Sequence, residues 1–159
     1  MAEPTPVLSP EAAQQLATDA AQAMWSRDHV AKAMGMTLEE VKPGYARLSM
    51  VIRQDMVNGH AICHGGMVFT LADTAFAYSC NSYNLNTVAS ACHIDFLAPS
   101  HLGSTLVAEG VERSQGGRTG VYDVTVSAVD SAGVAKTIAL FRGKSARIKG
   151  EVTTSFAAA

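Results

Sequence analysis

Cysteine is scarce in this sequence, three in 159 residues, and Cys63, Cys80 and Cys92 make an odd set without a disulfide-framework spacing. Free thiols in a reducing compartment are the expectation. Charge is scarce as well: 16% of residues are charged, 12 basic against 14 acidic, mixed along the chain for a net charge of −2. Without a basic stripe or polybasic run, neither nucleic acid nor an anionic membrane surface is an expected partner. No apolar stretch reaches the roughly 20 residues of a spanning helix, and the opening "MAEPTPVLSP" has neither the basic start nor the apolar run of a secretion signal. These absences predict a cytoplasmic protein that meets small molecules or other proteins. What is plentiful is apolar material, 48% of the chain, enough for one domain with a real core.

The pattern along the chain predicts an α+β domain over 9–149, with flexible segments at 1–8 and 150–159. "SPEAAQQLATDAAQAMW" supplies Ser9 as an N-cap, Pro10 at the first helical position and Glu11 in the first turn, so a helix runs to about Arg27. A short turn through "HVAKAMG" stops at Gly35. "MTLEEVKPGYARLSMVI" reads as a hairpin about Lys42-Pro43-Gly44. After the irregular "RQDMVNGHAICH" comes a helix from about Gly65 to Ser82, apolar nearly all round and therefore buried on most sides. The remainder reads as a meander with strands near "TVASACHIDFLA", "STLVAEGVER", "TGVYDVTVSAV" and "VAKTIALFRGKSARI". Six strands and one apolar helix have an economical arrangement: a curled antiparallel sheet wrapped round the helix.

One residue does not fit a merely structural helix. Asp73 lies mid-helix among apolar neighbours, and Phe69, Thr70, Phe76 and Ala77, one turn away on either side, offer no cation. Burying an unpaired carboxylate costs several kcal/mol, so a use for it is expected. Gly65 and Gly66 open the same helix, where backbone N–H groups are unpaired and backed by the positive end of the dipole, an oxyanion-type donor. Eight residues separate Gly65 from Asp73, about 12 Å of helical rise, too far for both to meet one carbonyl. Two such helices antiparallel across a two-fold axis solve this, Gly65 of one chain facing Asp73 of the other. A homodimer is therefore expected.

The stretches "NGHAICHGGMVFTLADTAFAYSCNS", "VASACHIDFLAP", "GRTGVYDV" and "ALFRGKSARI" resemble the PaaI-type acyl-CoA thioesterases of the hotdog-fold superfamily, from the phenylacetate-degradation branch, over roughly 30–148. The resemblance implies a hotdog fold, dimers that pair into tetramers, and hydrolysis of aryl-acetyl-CoA thioesters such as phenylacetyl-CoA, with no bound cofactor or metal. It implies that Asp73 is the reactive carboxylate, as nucleophile or general base, and that the Gly65 N–H polarises the thioester carbonyl. Asn58 and His64 match supporting polar residues, and Thr74 neighbours the carboxylate. Arg118 with Gly117, Arg142 and Lys144 are candidates for the phosphates of coenzyme A by type and by matching segments. Phe69, Phe76, Tyr78 and Phe96 are candidates to shape an aryl pocket, and most of them are expected in the core.

Other readings have less in their favour. His60, Cys63 and His64 lie close together but lack a second cluster at zinc spacing, and Cys63 reads as a buried, inert thiol. A hotdog dehydratase requires a His-plus-acid arrangement that "NGHAICHGG" does not show. A non-catalytic acyl-CoA-binding module gains little from a buried carboxylate.

Overall fold

A computed structural model describes residues 8–153. Helix α1, Pro10–Arg27, begins as its sequence dictates: the Ser9 side chain accepts from the Ala12 N–H at 3.2 Å, and Pro10 sits in the first turn. Asp28 ends α1 and caps α2, His29–Ala33, where its Oδ1 accepts from the Ala31 N–H at 2.9 Å. The hairpin follows as β1, Thr37–Lys42, and β2, Tyr45–Val51, and Gly44 takes the positive φ of 72° that its turn requires. Helix α3, Gly65–Cys80, stops two residues before its expected end because Asn81 closes it, its Nδ2 bonded to the Ala77 and Thr87 carbonyls. Strands β3, Leu85–Phe96, β4, Thr105–Gly116, β5, Thr119–Val129, and β6, Ala135–Glu151, complete the chain.

All neighbouring strands are antiparallel, in the order β1-β2-β4-β5-β6-β3. This corrects the meander expected after α3. Strand β3 does not neighbour β4; α3 crosses the sheet and delivers β3 to the far edge, where it pairs with β6 alone. Alternation marks a strand's two faces but not its neighbour, so this crossover was invisible in the pattern. Strand β6 also runs to Glu151, and beyond it the Val152 and Thr153 N–H groups donate to the Asn84 backbone and side-chain oxygens. Residues 150–153 thus belong to the fold rather than to the tail expected from Gly150 onward. The rest of that tail, and 1–7 of the expected flexible N-terminus, lie outside the described residues.

The sheet curls about α3 in the hotdog manner. Alternate residues turn inward, Ala46, Leu48 and Met50 on β2, Leu106 and Ala108 on β4, Tyr122, Val124 and Val126 on β5, and all are buried against Val68, Leu71, Ala72, Ala75 and Phe76 of the helix. Two glycines set how closely helix and sheet approach. A side-chain carbon on Gly110 would lie 3.0 Å from the Ala75 carbonyl oxygen, and one on Gly143 would lie 2.8–2.9 Å from three carbons of the Phe76 ring. Among the described residues, no helix is long and apolar enough to cross a membrane.

Candidate active site

The chain entering α3 is a tight loop organised by Asn58. Its Oδ1 accepts from the N–H groups of His60, at 2.9 Å, and Ile62, at 3.4 Å, while its own backbone N–H donates to the Ile62 carbonyl. A bridge between Val57 and Cys63 closes the loop, and the Cys63 and His64 N–H groups donate to the Ser100 and Met56 carbonyls. Asn58 therefore holds the loop through its oxygen. Its amide Nδ2 makes no protein hydrogen bond among the described residues and is left as a donor beside an open pocket.

His64 is the N-cap of α3. Its Nδ1 accepts from the Gly66 N–H at 2.9 Å, which requires that nitrogen to be unprotonated and leaves the proton on Nε2. This refines the expectation of two unpaired glycine amides: the Gly66 N–H is used by the cap. Among the described residues the Gly65 N–H has no acceptor, so Gly65 alone presents a donor at the positive end of the helix. The Phe96 ring lies close by, 3.1 Å from where a Gly65 side-chain carbon would stand. A pocket of about 470 Å³ opens there, lined chiefly by Asn58, Ile62, Gly65, Val68, Phe96 and Ile138. It is mainly apolar. Of the aromatic candidates only Phe96 reaches it, since Phe76 and Tyr78 are buried in the core and Phe69 stacks edge-on against Phe141.

Asp73 lies two turns further along α3, half-buried, and burial pushes its carboxyl above the usual carboxylate range. Among the described residues no cation offsets that shift, in agreement with the sequence. The nearest polar side chain recorded for it is the Cys92 thiol of β3, 4.0 Å from Oδ1, a neighbour that required knowledge of where β3 lies. Thr74 donates its hydroxyl proton to the Thr70 carbonyl at 2.7 Å and is thereby an acceptor only toward a ligand. Gly65 beside Phe96 and Asp73 beside Cys92 show that α3 runs antiparallel to β3, with both groups along the sheet's open edge. Four strand residues span about 13 Å, which matches about 12 Å for eight helical residues. Within one chain the two groups do not meet.

The candidates for phosphate binding fall in separate places. Gly117, at a φ of 59°, forms the β4–β5 turn with Arg118, whose side chain donates to the Arg147 carbonyl at 3.2 Å. Arg118, Arg147 and Lys149 line a shallow pocket of about 390 Å³ whose described lining holds no carboxylate. The sequence did not single out Arg147 and Lys149, because only the β5–β6 pairing brings them to Arg118. Arg142 is committed elsewhere, donating to both oxygens of Asp123 at 2.6 and 2.9 Å, with Arg113 on the same carboxylate. These two guanidiniums hold the Asp123 carboxyl below its usual range. Lys144 is exposed on β6 and has no ion pair among the described residues. Cys63 is buried, and burial pushes its thiol up, consistent with an inert role. Among the described residues no three His, Cys, Asp or Glu side chains group as candidate metal ligands.

Comparison with known proteins bears on this arrangement. Residues 60–135 match the Thioesterase superfamily. The acyl-coenzyme A thioesterase PaaI of Escherichia coli (strain K12) is 50% identical over 133 residues, which span 84% of this chain and 92% of that protein. The structure of the E. coli PaaI protein, from the phenylacetic acid degradation operon, superposes with a TM-score of 0.82 at 48% identity, covering 87% of this chain and 97% of that one. A mutant of the phenylacetic acid degradation protein PaaI from Thermus thermophilus is 33% identical with a TM-score of 0.71, over 76% of this chain and 100% of its own.

Proposed function

This chain belongs to the thioesterase superfamily and to its PaaI-type acyl-CoA thioesterases, and from that premise we propose that it hydrolyses phenylacetyl-CoA and related aryl-acetyl-CoA thioesters to the free acid and coenzyme A. The observation that carries this reading is the division of labour along the open edge: an unengaged Gly65 N–H at one end of α3 and a cation-free, half-buried Asp73 further along. The Gly65 N–H stabilises the negative charge that develops on the thioester oxygen. Asp73 either attacks the carbonyl carbon, giving a mixed anhydride that water then cleaves, or takes a proton from an attacking water; both routes release the coenzyme A thiolate. Asn58, through its free Nδ2, and His64, through the Nε2 proton, are donors facing the same loop. Thr74 offers a lone pair to a water near Asp73.

The reacting pair then comes from two subunits. Among the described residues, strand β3 is an edge of 12 residues with no outer neighbour and with exposed Val88 and Phe96, a surface that soluble proteins rarely leave open. Pairing β3 with its copy antiparallel about Ile94 brings Phe96 opposite Cys92 of the partner subunit, and therefore Gly65 opposite Asp73 of the partner subunit. The outward stripe of α3, Gly66, Thr70, Asp73 and Ala77, is small enough for the two helices to lie close. Such a dimer has two equivalent sites, and we infer that dimers pair further into tetramers in the cytoplasm. The apolar pocket beside Gly65 suits the aryl group, with Phe96 as its aromatic wall. Arg118, with Gly117 in its turn, and with Arg147 and Lys149, suits the nucleotide phosphates better than Arg142, whose donors Asp123 occupies; Lys144 is available as a lone point charge.

A mixing experiment tests this. Asp73→Asn and Gly65→Val are each expected to be nearly inactive in thiol release from phenylacetyl-CoA. Unfolded together and refolded, half the dimers are mixed and each mixed dimer has one intact site, so about a quarter of wild-type activity returns. No recovery from folded, mixed dimers refutes the shared site; no thiol release by wild type from any aryl-acetyl-CoA refutes the activity.

A further inference from the structure

Asp73 raises a question of aim. A reactive carboxylate must hold one oxygen toward its target, yet the hydroxyls nearest it in sequence are spent: Thr70 donates to the Gly66 carbonyl at 2.8 Å and Thr74 to the Thr70 carbonyl at 2.7 Å. Among the described residues no cation stands beside it. We propose that Cys92 is the positioning residue for Asp73, its thiol donating to Oδ1 from strand β3 and fixing which oxygen is turned to the reacting centre. The inference rests on Asp73 being the reactive carboxylate of the reading above.

The strand register explains why this side chain is placed there. Cys92 pairs with Gly143 of β6, and Gly143 lies against the Phe76 ring, so this pair of positions faces the helix. Phe76 is one turn beyond Asp73 on α3. Among the described residues of its own subunit, the titratable groups that face Asp73 are thus two thiols, Cys92 on β3 and Cys80 on its own helix. They are not equivalent, because Cys80 is buried, its thiol directed to the Ala77 carbonyl at 3.5 Å, and burial pushes it up to about 12. Burial and the nearby carboxylate also push the Cys92 thiol up, so the sulfur keeps the proton it donates.

A thiol suits this role chemically. It is a weak donor, able to orient a carboxylate while withdrawing little of the electron density that attack on a carbonyl or on a water proton requires. An ammonium or guanidinium in its place would orient more strongly and depress the basicity of Asp73.

The test compares Cys92→Ala and Cys92→Ser with wild type, at equal thermal stability and oligomeric state. In Cys92→Ala, kcat falls about fivefold with KM unchanged, as loss of one weak hydrogen bond predicts. The acid limb of kcat moves up by about 0.7 pH unit, since the ionised form of Asp73 has lost its donor. Cys92→Ser, which still offers a donor, moves both quantities back toward wild type. A purely structural cysteine gives an Ala variant with the wild-type acid limb, and that result overturns the proposal. A second readout needs no turnover: the Cys92 S–H stretching band in the infrared shifts between wild type and Asp73→Asn if the thiol donates to Asp73, and an unshifted band overturns the contact. If wild type proves inactive on every acyl-CoA, the functional reading fails while the S–H band still decides the contact.

Discussion

The same substitution, glycine to alanine, should have opposite consequences at Gly65 and at Gly143. At Gly143 the new methyl would lie 2.8–2.9 Å from three Phe76 ring carbons, where about 3.5–4.0 Å is the comfortable separation between carbons. The ring has nowhere to go: Phe76 is buried between Tyr122 and Phe141, with centroid distances of 5.6 and 5.8 Å. Overpacking of this kind costs about 1–3 kcal/mol, which for a domain of this size lowers Tm by about 3–10 °C. At Gly65 the new methyl meets the Phe96 ring at 3.1 Å, but Phe96 is 55% exposed in the single subunit, and the contact asks its ring to shift by only a few tenths of an ångström. Gly65 has no positive φ, and alanine is the better helix former by up to about 1 kcal/mol. Stability there should change little. Alanine keeps the backbone N–H, but its methyl crowds the approach of the thioester oxygen in the proposed reaction, and holding that oxygen off the donor lowers kcat by up to about 10²–10³, the effect of losing one such contact. Thermal unfolding followed by circular dichroism, together with thiol release from phenylacetyl-CoA on the same samples, separates the two effects. An active Gly65→Ala enzyme, or a Gly143→Ala protein with the wild-type Tm, refutes the reasoning.

Three further outcomes follow from the site. Asp73→Asn should raise Tm at neutral pH: the native carboxyl is shifted upward by burial, so the ionised form weighs against folding above that shifted pKa and ceases to do so as pH falls through it. The two Tm curves should converge in acid, and a mutant less stable than wild type at pH 7 contradicts the sign. Arg118→Ala should raise KM for phenylacetyl-CoA about tenfold or less, with kcat nearly constant, and should lose that effect on a substrate lacking the nucleotide; an equal effect on both substrates removes Arg118 from phosphate binding. Ile94→Cys, at the centre of the proposed β3 pairing, should cross-link the dimer on mild oxidation, because residues self-paired across a two-fold lie within disulfide reach. A Cys92→Ser background isolates the new thiol, and an exclusively monomeric product on denaturing gels excludes that register.

Much of the fold was legible because local signals agreed with one another. Ser9-Pro10-Glu11 fixed the start of α1, Pro43-Gly44 fixed the first hairpin, and the apolar run after Gly65 fixed α3. Asp73 stood out for the same reason, as a charge that its own helix leaves unpaired. The position of β3 was not legible, since a strand's sequence records which face is buried and not which edge it joins. Everything that depended on that edge was hidden with it: Cys92 against Asp73 and Phe96 against Gly65. The partner of Arg142 was hidden as well, because Asp123 lies 19 residues earlier in the chain but directly across the ladder.

The open edge of β3 also bears on how the molecule comes into being. Until it is covered, a long strand with exposed apolar side chains is a template for any other β-segment in its vicinity. If β3 pairs with its copy as proposed above, newly made chains race between finding that copy and recruiting a stranger, and the outcome depends on how many copies are made close together. On that proposal assembly is the last step of folding, and dosage belongs to the folding conditions as surely as temperature does.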